Sequence, residues 1–154
     1  MPRELIEIDR EKLKAYVTEK LYRFDEIAGV YLFGSAVDKM RPESDIDLGI
    51  ITIPGAASSE KELELFLERL HLALRNFEGH PFDLVSVAHA NVILAFEILR
   101  HGIPIFIKDD DVVSDLIEKV SRKYADVYPR YKKALELIVG VNGDEECKKS
   151  DHAH

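Results

Sequence analysis

Cysteine is nearly absent. Cys147 stands alone in the polar stretch EECKKS, so no internal disulfide can form, which suits a reducing compartment. Long apolar runs are missing too. None approaches the roughly 18–20 residues of a membrane span, so no membrane partner is expected. The start, MPRELIEIDREK, is charged where a secretory signal is apolar, and the expected location is the cytoplasm. Positive charge is in deficit: 21 Lys and Arg against 29 Asp and Glu leave a net charge of −8. An extended nucleic-acid surface is therefore not expected. No internal repeat or linker interrupts the 154 residues, which suit one compact domain whose 46% apolar content can supply a core. The expected domain spans 1–140, and VNGDEECKKSDHAH over 141–154 is expected to be a disordered tail.

What is present reads as alternating helices and strands. Leu13, Tyr16, Val17, Leu21 and Phe24 recur at helical steps after a capping Asp9. The strand AGVYLF runs straight into Gly34-Ser35, and SAVDKM is long enough for one or two helical turns before Arg41-Pro42 breaks it. DIDLGIITI is a second strand. Ser59 and Glu62 suggest a capping box for a helix over 60–77, striped with Leu63, Phe66, Leu67, Leu70 and Leu74. FDLVSV is a third strand, followed by a helix over 91–100 that Gly102 would close with a left-handed cap. IPIFI, with its proline, suits an edge strand, and a last helix should run over 111–139, bent or broken before Pro129. The order implies an α/β (α+β) domain, with helices packed on a small mixed sheet.

Two carboxylates are out of place in this pattern. Asp45 and Asp47 flank Ile46 at the start of an apolar strand, so they share one face while Ile46, Leu48 and Ile50 take the other. Carboxylates converging beside a core repel one another unless a cation compensates them. Asp83 repeats the anomaly among Phe82, Leu84 and Val85. Each of Asp45 and Asp83 alone could belong to a neighbouring turn. Asp47 has left its turn. Three carboxylates on adjacent strands would make the hard, oxygen-only site that Mg²⁺ prefers. Gly34-Ser35 at a strand-to-helix junction suits a phosphate, and a carboxylate cluster beside a phosphate cradle is the equipment of phosphoryl or nucleotidyl transfer.

GVYLFGSAVDKMRPESDIDLGI resembles the signature of the polymerase-beta-like nucleotidyltransferases: an apolar strand, Gly-Ser, a short helix, then Asp-x-Asp on the next strand. The resemblance spans about residues 27–110 and is closest to the minimal nucleotidyltransferases, several of which are antitoxins of helical HEPN-type ribonuclease toxins. It implies that Gly34 and Ser35 hold the triphosphate of ATP. Asp45 and Asp47 would bind two Mg²⁺ ions, and Asp83 would complete the site for the ion that activates the acceptor hydroxyl. The implied reaction moves AMP from ATP to a tyrosine of the toxin. Family members usually place a basic residue after the Gly-Ser and ten residues before the first Asp. Here GSAVDKM leaves nine, and Lys39 and Arg41 are the nearest cations to the phosphates. Two other functions stay open: transfer to a small-molecule hydroxyl, and an antitoxin that neutralises by contact alone. A homo-oligomer is also compatible.

Other residues invite a role that their context does not support. Arg75, His80 and Phe82 imitate the Arg-x4-His-x-Tyr motif of the toxins, but Gly79 and Pro81 keep His80 off any helix. Glu68 and His71 lack a third ligand at zinc-like spacing. His89 and His101 suit helix ends, and His152 and His154 fall in the tail. Tyr124, Tyr128 and Tyr131 have the helical spacing of a packed face, with partner binding as the alternative.

Overall fold

The computed structural model describes residues 5–152, with side chains to Val139. Its elements are β1 (Ile6–Glu7), α1 (Arg10–Leu21), β2 (Ile27–Phe33), a 3-10 turn (Gly34–Val37), β3 (Lys39–Met40), β4 (Ile46–Thr52) and α2 (Glu60–Leu74). They continue with β5 (Phe82–Ser86), a second 3-10 turn (Val87–His89), α3 (Val92–His101), β6 (Ile103–Ile107) and α4 (Asp110–His152). The main sheet has the order β5-β4-β2-β6, with β4 and β5 parallel and the other neighbours antiparallel. The proline-bearing β6 lies at one edge, as its sequence suggests. The expected α/β architecture is the observed one.

Alternation along the two central strands builds a core on each face. Val30 and Leu32 of β2, with Ile46, Leu48 and Ile50 of β4, pack against Leu13, Val17 and Leu21 of α1 and Phe66, Leu70 and Leu74 of α2. Tyr31 and Ile51 face the other way, toward Ala95 and Ile98 of α3 and Val113 and Val120 of α4. Asp9, Ser59 and Asn91 cap α1, α2 and α3, each accepting from the N–H three residues on. Glu62 reaches back to the N–H and hydroxyl of Ser58 rather than to Ser59.

The structure corrects several local readings. SAVDKM keeps only its first helical turn: a four-residue 3-10 helix, Gly34–Val37, ends there, and Lys39–Met40 becomes a strand paired with β1. Burial of Met40 decides this, since its side chain is 1% exposed and joins the core. Gly102 is extended, with φ −71°, not left-handed. Its glycine is needed because a Cβ would overlap the Ile98 carbonyl oxygen and sit 3.0 Å from that of Leu32. Gly102→Ala should therefore cost about 2–3 kcal/mol in a denaturant melt, since neither obstacle is a flexible side chain.

Pro129 lies inside α4 without ending it. Tyr124 stacks on Phe96 of α3 at 3.7 Å between centroids, while Tyr128, Tyr131, Leu135 and Ile138 carry the same helical stripe onward exposed. The packed-face reading thus holds for Tyr124 and not for the other two tyrosines. The side chains of the expected tail, 141–154, lie outside the described residues. Among the described residues no helix is long and apolar enough to cross a membrane.

Candidate active site

The acidic site forms where α3 stops covering the sheet. Ile98 of α3 and Val87 sit over Gly49, where a Cβ would lie 2.9 Å and 3.0 Å from their side chains. The next residue toward the start of β4 on that face is Asp47, and Asp45 precedes the strand on the same side. In register, Phe33, Asp47 and Asp83 form one row across β2, β4 and β5. A parallel pair points its partners the same way, about 4.8 Å apart between strands, so Asp47 and Asp83 are close neighbours. Asp45 and Asp83 are exposed and Asp47 half-buried.

Electrostatics register the crowding. Burial, then the charges of Asp83 and Asp45, push the Asp47 carboxyl up to about 6, and its protonated form is also favoured by a hydrogen bond to Asp83. The three carboxylates thus act on one another. Among the described residues, no three His, Cys, Asp or Glu side chains form a ready-made metal cage. The donors that do meet are all carboxylate oxygens, and mutual repulsion is what a divalent cation would relieve.

Gly34 closes the site from the side of β2. Its φ of +74° is left-handed, and a Cβ would strike Asp47 Oδ2 and lie 3.1 Å from its Cγ. Only glycine lets the turn and the carboxylate occupy this corner together. A cleft of about 320 Å³ opens beside it, lined by Phe33, Gly34, Val37, Glu97, His101 and Gly102. Ser35 is exposed on the same turn, while exposed Lys39 lies on β3 and Arg41 immediately after it. Another cleft, about 310 Å³, lies at the far end of β4 beside His89, Asp115 and Lys119, and no carboxylate pair enters it.

The sequence matches the family model described as polymerase beta, nucleotidyltransferase, over residues 11–111. The chain belongs to this nucleotidyltransferase family. No curated protein matches it. Among solved structures, a mutant MntA–HpeT toxin–antitoxin complex is similar at TM-score 0.59 and 15% identity, covering 85% of this chain and 98% of that one. A toxin–antitoxin structure with AMP-PNP aligns at TM-score 0.58 and 16% identity, with the same coverage. A tri-AMPylated Shewanella oneidensis HEPN toxin in complex with its MNT antitoxin aligns at TM-score 0.53 and 16% identity, over 81% of this chain and 98% of that one. At such identities the likeness is one of fold, and it agrees with the minimal nucleotidyltransferase architecture of the carboxylate-bearing strands.

Two contacts near the nucleotidyltransferase site are not legible in the sequence. Arg10, from the first turn of α1, donates from its guanidinium to the Val37 carbonyl and ties down the 3-10 turn. His80 is 5% exposed, with Nδ1 2.9 Å from the Ser44 carbonyl just before Asp45. Neither contact has a sequence signature, because the partners lie 27 and 36 residues apart.

Proposed function

We propose that this nucleotidyltransferase moves AMP from ATP to a tyrosine of a helical HEPN-type toxin and serves as its antitoxin. The observation that carries the reading is the pairing of Asp47 with Asp83 across β4 and β5, beside a glycine whose missing Cβ leaves room for the Asp47 carboxyl. The solved relatives' toxins and the AMP-PNP structure supply the choice of partner and nucleotide.

In this reading Asp45 and Asp47 would hold two Mg²⁺ ions, and Asp83 would complete their carboxylate set. Bound Mg²⁺ would offset charge on the attacking and leaving oxygens of an in-line displacement. Gly34 and the exposed Ser35 receive the triphosphate at the turn, and Lys39 and Arg41 offer the nearest countercharge. The cleft beside Gly34 gives the nucleotide space next to the carboxylate row. Asp83, exposed at the outer strand, is the carboxylate an incoming tyrosine hydroxyl meets, and it draws off the proton. The acceptor oxygen bonds to the α-phosphorus as the bond to pyrophosphate breaks.

The test is intact-mass measurement of a HEPN-type toxin after incubation with this protein, ATP and Mg²⁺. The expected result is a gain of about 329 Da per AMP, made by metal-assisted transfer, and no gain with Asp45→Asn/Asp47→Asn. Unchanged toxin mass together with blocked RNA cleavage would replace the enzyme with a contact-only antitoxin. Failure of the two proteins to associate would point to a small-molecule acceptor.

A further inference from the structure

The most buried polar side chain near the acidic row belongs to none of the residues assigned to it. His80 is 5% exposed, and its Nδ1 lies 2.9 Å from the carbonyl oxygen of Ser44. A carbonyl can only accept, so Nδ1 carries the proton and donates, whatever the charge of the ring. The next residue repeats the link through the backbone: the Ile46 N–H donates to the Pro81 carbonyl at 2.9 Å. Ser44 and Ile46 are the two neighbours of Asp45. Both are therefore tied to consecutive residues that lead into β5 and Asp83.

The segment delivering His80 is built at a conformational cost. Arg75 and Glu78 have φ of 57° and 50°, a region unfavourable for side chains with a Cβ, and Gly79 follows at 84°. Phe77 and His80 then exchange two backbone hydrogen bonds of 2.9 Å, which fixes where the imidazole enters. On the other side, the Ser44 N–H donates to the Arg41 carbonyl at 3.0 Å, closing the turn that leads into Asp45. Asp45 itself is exposed and has no strand partner, so these links are what restrain its backbone.

We infer that His80 is a positioning residue of the acidic site, setting Asp45 against Asp47 and Asp83 through its hydrogen bond to Ser44. The inference rests on the nucleotidyltransferase reading above. Its chemistry is that of an outer group orienting a ligand: the imidazole touches neither substrate nor cation, and acts through the backbone before Asp45. A displacement of Asp45 of under an ångström would loosen the cation site and slow the transfer, while leaving ATP's other contacts in place.

Two substitutions separate this role from packing. In His80→Asn the amide nitrogen falls where Nδ1 lies and can still donate to Ser44. In His80→Gln the amide reaches the Nε2 position instead and cannot. The measurements are Mn²⁺ binding by electron paramagnetic resonance in the presence of AMP-PNP, and the rate of AMP transfer with its KM for ATP. H80N should stay within about threefold of wild type, whereas H80Q should bind Mn²⁺ and turn over roughly tenfold less well at an unchanged KM. Thermal melts check that both variants fold. H80Q matching wild type in both measurements overturns the inference. So does H80N falling as far as H80Q, since the side chain would then serve packing. If wild type itself binds no Mn²⁺, the metal-dependent reading of the site fails, and the inference with it.

Discussion

Asp47→Asn is expected to abolish nucleotidyl transfer while making the metal-free protein more stable. On the proposed function the loss should reach roughly a thousandfold or more, because the amide would lack the anionic oxygen needed to hold a cation. The stability gain follows from the proton balance. In the folded protein Asp47 is pushed from 3.8 up to about 6, chiefly by burial and then by Asp83 and Asp45. Raising a carboxyl's pKa means that the fold prefers it protonated. Below pH 4 both states hold the proton and nothing is lost. Stability then declines as pH rises toward 6, and the full penalty applies above it. Taken at face value the shift amounts to about 3 kcal/mol. Asp47 is only half-buried, and solvent screening reduces this to about 1 kcal/mol. Melts in EDTA from pH 4 to 8 should show D47N gaining on wild type through that window. Added Mg²⁺ should stabilise wild type and leave D47N unmoved. Equal Mg²⁺ stabilisation of the two would remove Asp47 from the ligand set.

Gly34→Ala should separate activity from stability in the opposite sense. The backbone there has φ +74°, costing an alanine about 1–2 kcal/mol. The new Cβ also meets the Asp47 carboxyl, but a carboxyl is the end of a rotatable side chain and can turn aside. The fold survives and the site does not. On the proposed function, transfer should fall about a hundredfold or more, since a misplaced Asp47 carboxylate would no longer stand with Asp83 at the site. A melt lowered by only a few degrees alongside near-complete loss of AMP transfer is the expected pair of results. Full activity in G34A would show that Asp47 works from another rotamer and that the crowded corner is incidental.

The legible parts of this protein were those set by local chemistry and by period. Apolar runs placed β2 and β4, helical stripes placed α1 and α2, and side-chain oxygens at Asp9 and Ser59 marked helix starts. Period two also put Asp45 and Asp47 on one face, and that alone made the pair anomalous. The proline in IPIFI pointed to an edge, and β6 is one.

The end of SAVDKM leaves the helical path because the strand at Ile6–Glu7, distant in sequence, turns Lys39–Met40 into a ladder. Position 102 is likewise decided at a distance: its need for glycine comes from two carbonyl oxygens, one of them on β2, and not from its own φ.

By itself, then, the sequence determined the α/β class, the faces of the main strands and the acidic residues at the head of β4, since each follows from neighbours a few positions apart. Tertiary structure decided which strand lies beside β4, and hence that Asp83 faces Asp47 in register. It also decided that Gly34 abuts the Asp47 carboxyl and that the His80 imidazole reaches the carbonyl before Asp45. These contacts join segments about 13 to 36 residues apart, and only the pairing of strands and the packing of helices on them can bring such segments together.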